Sequence, residues 1–427
     1  APNFVSVFNS RFDLDNYIDY FIFETYIQNR DWMGIDWGIN NVKLWRHDTA
    51  GGTWRYMMYD TDFAFGLYGG NIYDNYIERA RNPNYPNTHS EIFDHALDNA
   101  DFKCRFTNRY NDLINTTFQT GHFNAVTDEL KTELAPAIPD HIAQWSSQMG
   151  PYSYTYWLNA VNSIKSYNSG RIATASQHLN QSLSLQGQHT VNLDAFPNAA
   201  GRIKINSIMP ELPWEGVYHG ACPVTAQAIP RRGFLFSHWY STATAYNNVM
   251  QDSIEVSVAA NTTLVAHFDT CKNVVDATIQ LSEKMLKAAV SIAVTNPSYE
   301  WLYNGIPVST DSVLYNPLDG NYQLTVRFDS CEIQSETFIV NQGDYGIHLF
   351  PNPAVDALTV QFLMVQQENM TLGIYNTAGQ LVWETTYSQF LGQFNTTIDV
   401  STFARDLYML RITTPSLTYA RKFIVVD

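Results

Sequence analysis

Charged side chains are scarce in this chain, and the positive ones are the scarcer kind. They make up 15% of 427 residues, and 25 lysines and arginines stand against 41 aspartates and glutamates, for a formal net charge of −16. Phosphate backbones and anionic membranes are bound through clustered Lys and Arg, so we expect no unassisted binding to nucleic acid or to such membranes. No apolar run approaches the roughly 20 residues that span a bilayer, and we predict no transmembrane segment.

Cysteine is nearly as rare, with four residues that form no CxxC pair and show no metal-ligand spacing. Cys271 and Cys331 flank one β-type segment, and we predict a disulfide between them. Cys104 and Cys222 are expected to stay free or to pack in cores.

Aromatic residues, by contrast, are abundant, with 26 Tyr, 24 Phe and 10 Trp. Together with the low fraction of charged residues, this abundance of aromatic residues is typical of secreted or surface β-rich proteins rather than of cytosolic enzymes. The length predicts two to four domains. Apolar residues keep a helical spacing to about residue 186, and from about Gly187 they alternate as in β-strands. We therefore predict a multidomain α+β protein, with a mainly helical first domain followed by small all-β modules.

The first domain is organised around one helix near its start. Asp13 is a candidate N-cap, and apolar residues recur from Leu14 to Ile22 at the spacing of one helix face. The helix therefore delivers the run Asn29-Arg30-Asp31 at its C-terminal end. Because the helix dipole does not favour a carboxylate there, we expect Asp31 to serve a purpose other than helix stability.

Two predicted strands follow, at residues 42–46 and 54–59, joined by a hairpin-like turn. The helix and these strands carry three carboxylates and two amides at their loop ends. These are Asp31, Asn40, Asn41, Asp60 and Asp62. Such hard oxygen ligands suit Mg²⁺, which proteins hold through one or two carboxylates, waters and substrate phosphates. Clustered Asp and Asn at strand ends also serve commonly as turn formers and caps, and this alternative stays open.

This stretch resembles the CotH family of atypical, protein-kinase-like proteins, in both the order and the aromatic framing of its motifs. The matching runs are residues 13–20 (DLDNYIDY), 29–32 (NRDW), 40–46 (NNVKLWR), 54–56 (WRY) and 59–66 (YDTDFAFG). The resemblance implies a kinase-like C-lobe that uses Mg²⁺ or Mn²⁺ and ATP.

The resemblance also implies a role for each member of the acidic set. Asp31 would be the catalytic-loop aspartate, and Asn40 or Asn41 the metal-binding asparagine. Asp60, with Asp62, would be the metal-binding aspartate, so that nucleotide and metal are bound by Asn40, Asn41, Asp60 and Asp62, and metal by Asp60, Asp62 and Asn41. The gap from Asp31 to Asn40 is longer than the four-residue spacer of the usual catalytic loop, so the choice between the two asparagines stays open.

A kinase-like fold also needs an N-lobe, which supplies a phosphate-binding Lys and its Glu partner. The chain opens at Ala1-Pro2-Asn3 and reaches the first motif at once. We therefore expect the kinase-like domain, residues 1–186, to lack its N-lobe in this chain. Arg79 and Arg81 are further candidates, to pair with substrate phosphate or with the active-site carboxylates, although surface arginines are the commoner case.

Two β modules are predicted next. Residues 187–269 resemble a divergent internalin-B-type repeat, through the run 233–239 (GFLFSHW), in which Phe236 and Trp239 would be core. Residues 270–342 resemble an immunoglobulin-like or PKD-like domain, with Trp301 on a central strand over the core. A role as spacer or as binding surface is expected for the latter.

The tail, residues 343–427, is similar to the C-terminal sorting domain of the type IX secretion system. The matching runs are residues 347–360, 372–382, 407–412 and 421–426, and the first contains Pro351-Asn352-Pro353. The resemblance implies a partner, the type IX secretion machinery, and export across the outer membrane of a Bacteroidota-type cell, followed by release or surface attachment. We expect an autonomous sandwich of about seven strands, linked to the preceding module by Asn341–Tyr345. Its predicted core residues are Leu358, Val360, Ile374, Leu410 and Ile412.

Two functions are compatible with this organisation. The first is an exported CotH-type phosphotransferase that uses ATP and Mg²⁺ to phosphorylate a hydroxyl of a protein substrate. The second is a non-catalytic surface adhesion or matrix-binding protein that uses the kinase-like domain as a scaffold, since fold does not fix function. The intact acidic set favours the first, whereas the scarcity of ATP outside cells favours the second.

Overall fold

The structure is a computed structural model that describes residues 3–49, 51–150, 152–282, 285–340, 347–416 and 418–427. These residues form two compact units. One comprises Ala1–Ile229 with Phe236–His267, and the other comprises Pro230–Leu235 with Phe268–Asp427. Helices occupy the N-terminal part and β-sheets the rest, as predicted.

The helical part of the first unit contains eight helices among its described residues. They are α1 Phe4–Asn9, α2 Leu14–Ile27, α3 Tyr76–Arg81, α4 Thr88–Leu97, α5 Ala100–Asn115, α6 Thr120–Leu134, α7 Ile138–Met149 and α8 Tyr154–Leu183. A two-stranded antiparallel ribbon, β1 Lys43–Trp45 and β2 Arg55–Met57, lies between α2 and α3 in the chain.

Helix α2 is the centre of this region. Its N-terminus is fixed by Asp13, whose carboxylate accepts a hydrogen bond from the backbone N of Asn16 at 3.0 Å. The helix ends where Gln28 takes a left-handed conformation, with φ of 58°. Ten of its 14 residues are buried, so α2 is a core helix and its C-terminal loop has a fixed starting point.

Two sheets, counted among the described residues, lie mostly in the first unit. Their strands are β3 Gln188–Phe196, β4 Gly201–Ile205, β5 Trp214–His219, β6 Val224–Pro230, β7 Phe234–Ser241, β8 Ser253–Val256 and β9 Thr262–Thr270. The sheet orders are β5-β3-β9-β7 and β4-β6-β8, and β3 pairs with β9 in parallel. Trp239 is fully buried, whereas Phe236 is half-buried.

Helix α5 fastens these sheets to the helical part. Cys104 of α5 forms a disulfide with Cys222, so the expectation that they stay free is wrong, although Cys222 lies in the hydrophobic core and Cys104 packs against it. The two halves of the bridge lie 118 residues apart in sequence, and neither carries a local pattern that would reveal the pairing. Asp112 of α5, fully buried, accepts hydrogen bonds from Ser207 N at 3.0 Å and from the Tyr218 hydroxyl at 2.8 Å.

The second unit is built from three sheets. Its strands are β10 Ala277–Ser282, β11 Met285–Val290, β12 Ser298–Tyr303, β13 Ile306–Ser309, β14 Val313–Tyr315, β15 Gly320–Phe328, β16 Cys331–Gln334, β17 Phe338–Val340, β18 His348–Phe350, β19 Ala357–Tyr375, β20 Leu381–Asp399, β21 Leu407–Thr413 and β22 Thr418–Ile424, and a short helix, α9, spans Cys271–Val274. The sheet orders are β10-β11-β14, then β13-β12-β15-β16 with β17 on β15, and β18-β19-β21-β22 with β20 on β19.

Trp301 is fully buried on β12, between β13 and β15, and its indole N donates to the carbonyl of Asp311 at 2.7 Å. Cys271 and Cys331 are joined by a disulfide, in the pairing that the sequence favours. These features stabilise the module that precedes the tail.

The tail differs from expectation in two ways, although its five predicted core residues are all buried. It has five strands among the described residues rather than about seven, because β19 and β20 each run for 19 residues. Register shifts near Met364 and Glu368 divide β19, so that one end pairs with β18 and the other with β21.

The tail is also less independent than expected. Leu363 of β19 lies in the hydrophobic core that contains Trp301 and Val308 of the preceding module, and Val365 packs against that core. The predicted linker Asn341–Tyr345 lies outside the described residues.

Candidate functional site

The C-terminal end of α2 is held by a buried arginine from a distant helix. Arg171 of α8 is fully buried, and its guanidinium donates from Nε to Tyr26 O at 2.8 Å and from NH2 to Thr25 O at 3.1 Å. The guanidinium also lies 5.6 Å from the centre of the Tyr26 ring. A cation at this end complements the negative pole of the helix and pairs carbonyls that have no partner within it.

Three hydrogen bonds join the segment at the end of α2 to the loop after β2. They run from Arg30 N to Phe63 O (3.1 Å), from Phe65 N to Ile27 O (2.9 Å) and from Asn29 Nδ2 to Asp60 O (3.5 Å). The two loops that carry the predicted acidic residues are therefore neighbours. We call these three bonds the loop staple.

Asp31 is half-buried in the first of these loops and is held by both predicted asparagines. Its Oδ1 accepts from Asn40 Nδ2 at 2.6 Å, and its Oδ2 accepts from Asn41 Nδ2 at 3.2 Å. Asn41 Nδ2 also donates to the backbone carbonyl of Asp31 at 2.8 Å. Both carboxylate oxygens thus have a donor, which fixes the orientation of the side chain.

Asp60 and Asp62 are exposed in the second loop. Partial burial raises the pKa of Asp62, and so does the neighbouring Asp60 carboxylate, which shares a hydrogen bond with it and repels its charge. Asp60 has a left-handed backbone with φ of 52°, a conformation that Asp adopts more readily than most residues. Two neighbouring carboxylates, one of which has a raised pKa, are a chemically suitable place for a cation.

The structure does not bring all five predicted residues into one cluster. Among the described residues, the side-chain amides of Asn40 and Asn41 bond to Asp31 rather than to the Asp60 and Asp62 pair. In the same described ranges, no group of three or more His, Cys, Asp or Glu side chains is placed to hold a metal ion. Two carboxylates remain, the number by which proteins commonly hold Mg²⁺ when substrate phosphates and waters supply the other ligands.

Two buried polar residues beneath these loops were not identified from the sequence. Glu24 of α2 and Asn29 are both fully buried, and Asn29 Nδ2 donates to Glu24 Oε2 at 3.0 Å. Burial raises the pKa of Glu24 to about 8, although the bond from Asn29 opposes the shift. Glu24 is the only charged residue between Tyr20 and Ile27, and this isolated charge on a core helix was the available signal.

The two candidate arginines bond to carboxylates other than Asp31, Asp60 and Asp62. Arg79 bonds to Asp36, which also accepts from Arg30 Nε at 2.8 Å, and Arg81 Nε donates to Asp94 at 2.6 Å. Partial burial opposes ionisation of Asp36, but the two guanidiniums hold its pKa below the usual range. Arg30 and Arg79 therefore fix Asp36 within the loop that follows Asp31.

Comparison with known proteins assigns two parts of the chain. Residues 2–174 match the family profile described as CotH kinase protein, and residues 348–426 match the profile described as secretion system C-terminal sorting domain. A search of curated proteins gave no significant match.

Three solved structures show weak likenesses to parts of this chain. A DUF3244-family protein with an immunoglobulin-like β-sandwich from Bacteroides vulgatus ATCC 8482 matches at 26% identity over 19% of this chain and 84% of that chain, with a TM-score of 0.17. The Bacillus anthracis TIE protein matches at 12% identity over 56% of this chain and 48% of that one, with a TM-score of 0.14. The BSP domain of a biofilm-associated protein matches at 10% identity over 57% of each chain, with a TM-score of 0.17. At such TM-scores none of these likenesses carries a fold or a function over to this chain.

The C-terminal domain shows where the protein is sent, because a sorting domain of this kind directs a protein through the type IX secretion system to the cell surface or the extracellular space. None of the helices in the described ranges combines the length and the apolarity that crossing a bilayer requires. The chain therefore joins a CotH kinase family region, residues 2–174, to a C-terminal sorting domain of the type IX secretion system, residues 348–426.

Proposed function

We propose that this secreted CotH-family protein transfers a phosphoryl group from Mg²⁺-bound ATP to a hydroxyl group of a protein substrate. The observation that supports this function best is the loop staple, which holds the Asp31 loop beside the loop of Asp60 and Asp62. Phosphotransfer needs a group that accepts the hydroxyl proton next to groups that hold the metal.

In this proposal each acidic residue has one role. Asp31, oriented by Asn40 and Asn41, accepts the proton of the substrate hydroxyl. Asp60 and Asp62 hold the metal ion. When bound, Mg²⁺ or Mn²⁺ neutralises the charge of the β- and γ-phosphates.

The proposed reaction is an in-line displacement. The hydroxyl oxygen forms a bond to the γ-phosphorus, and the bond from that phosphorus to the β–γ bridging oxygen breaks. The hydroxyl proton passes to Asp31, and ADP leaves with the electron pair of the broken bond.

The domain limits predicted from the sequence, at residues 186, 269 and 342, remain proposals. Their arrangement in the two compact units favours a kinase-like part and a first β module that act together, since the first unit contains the kinase-like part and residues 187–229 and 236–267 of that module. We propose that the modules beyond it serve as spacer and address.

A transfer assay tests this function. The full-length protein is incubated with radiolabelled ATP, Mg²⁺ and surface proteins of the host, and label on Ser, Thr or Tyr is measured. We expect labelling with the parent, a loss of at least 100-fold in Asp31→Asn, and parental activity in Asp140→Asn, which changes an exposed carboxylate on α7. No labelling by the parent, together with binding of the protein to surface material, would favour the adhesion function instead.

A further inference from the structure

The Asp60 loop holds an unfavourable backbone conformation, and its support comes from buried polar residues beneath it. Asp60 has φ of 52°, and its carbonyl accepts from Asn29 Nδ2 at 3.5 Å. A residue in the left-handed region keeps that conformation only where its surroundings hold it. The orientation of the Asn29 amide therefore bears on the position of both carboxylates in the loop.

Glu24 determines that orientation. The Nδ2 group of Asn29 has two hydrogens, and two acceptors lie on its side, Glu24 Oε2 and Asp60 O. If the amide turned over, its Oδ1 would face both of these oxygens. Among the described residues, the remaining oxygens, Glu24 Oε1 and Asn29 Oδ1, are buried without a hydrogen-bond donor, so the Glu24 to Asn29 bond is the principal polar contact of this pair.

We infer that Glu24 is a positioning residue that sets the geometry of the Asp60 and Asp62 loop through the side-chain amide of Asn29. The inference rests on the proposed function only in its consequence for metal binding. It goes beyond that function because Glu24 lies on a core helix and, in the part of the chain that the structure describes, its side chain bonds to Asn29 rather than to the acidic residues assigned a role there.

A buried acid next to an amide can serve this purpose without carrying charge. Glu24 lies near enough to Tyr20 for its charge to act on the Tyr20 hydroxyl, which accepts a hydrogen bond from the Trp32 indole N at 2.8 Å. A glutamine at this position would keep the acceptor oxygen and the size of the side chain. A methionine would keep the size and remove the acceptor.

Hydrogen exchange measures the loop staple directly. The amides of Arg30 and Phe65 donate across it, so their exchange rates report its opening. We expect Glu24→Met to raise both rates at least tenfold and Glu24→Gln to leave them within twofold of the parent. Asp15→Asn, which changes an exposed carboxylate on the same helix, is the matched control and should also leave them unchanged.

Metal affinity supplies the second readout. We expect Glu24→Met to weaken Mn²⁺ binding about tenfold and Glu24→Gln to restore it. Parental exchange rates at Arg30 and Phe65 in Glu24→Met would overturn the inference. If that variant fails to fold, Asn29→Ala removes the hydrogen bond between Asn29 and Glu24, and the exchange rates of the Arg30 and Phe65 amides in Asn29→Ala then test the inference in the same way. Faster exchange in the variant, combined with a parent that binds no Mn²⁺, would support the positioning role and reject the proposed function.

Discussion

Replacing Arg171 by methionine should loosen the C-terminal end of α2, from which the candidate site begins. The guanidinium makes two charge-assisted bonds, to Tyr26 O and Thr25 O. Hydrogen bonds to a charged group contribute about 1.5–3 kcal/mol each, and a buried carbonyl left without a partner costs about 1–3 kcal/mol. Burying the charge has its own cost, which the variant no longer bears. We therefore expect a net loss of about 3 kcal/mol in the free energy of unfolding of the first unit.

Denaturation in urea, followed by tryptophan fluorescence, measures this loss as a shift of the first transition at unchanged slope. Arg171→Lys keeps the charge but lacks the planar fork that reaches both carbonyls, and we expect it to lose about 1–2 kcal/mol. Arg105→Met, an exposed arginine on α5, is the control and should stay within about 0.5 kcal/mol of the parent.

A second readout separates this interaction from a general effect of substitution. Arg171 NH1 lies 3.2 Å from His178 Nδ1. Burial and then the charge of Arg171 lower the pKa of His178 to about 4. In Arg171→Met that pKa should rise, and nuclear magnetic resonance of the imidazole measures it. Equal stability of Arg171→Met and Arg105→Met, with an unchanged pKa of His178, would refute the reasoning.

Three further predictions concern pH, the disulfide and the tail. Because burial raises the pKa of Glu24 to about 8 from 4.5, the folded protein should lose stability as the pH rises through this interval, on the order of 5 kcal/mol in all. In Glu24→Gln the stability should no longer fall as the pH rises, and denaturation at pH 5 and pH 8.5 compares the variant with the parent. An equal loss of stability in the two proteins would contradict the raised pKa of Glu24. Replacing both Cys104 and Cys222 by serine removes a bridge between residues 118 apart in sequence. The free energy of unfolding of the first unit should fall by up to about 5 kcal/mol through the loss of the loop constraint. Parental stability in the double variant would show that the bridge contributes nothing. Leu363→Ser should destabilise the second unit by about 3 kcal/mol, unlike Leu391→Ser at a position that is 37% exposed, and equal effects of the two would show that Leu363 is not a core residue.

Local features of this protein were accessible from its sequence because their causes are local. The cap at Asp13 follows from a residue type next to an apolar helix face. The burial of Trp301 was implied by the resemblance of its segment to an immunoglobulin-like or PKD-like domain. The pairing of Asp31 with Asn40 and Asn41 spans only nine and ten residues, although the family resemblance implied the two asparagines as metal ligands rather than as partners of Asp31.

Contacts between distant segments could not be predicted in the same way. Arg171 bonds to Thr25 across 146 residues, and Cys104 pairs with Cys222 across 118. Periodicity reports which face of an element is buried, and it does not report which element covers that face. Leu363 illustrates the limit, because its burial is expected for a strand residue while its place in the core of the preceding module is a contact with another part of the chain.

Binding of Mn²⁺ and a non-hydrolysable ATP analogue to the full-length protein tests the proposed metal site most directly. Calorimetry should show metal-dependent nucleotide binding by the parent, a loss of at least tenfold in affinity in Asp60→Asn and in Asp62→Asn, and parental affinity in Asp140→Asn. Asp60→Asn that binds Mn²⁺ and nucleotide as tightly as the parent, or a parent that binds neither, would contradict the assignment of this loop as the metal site.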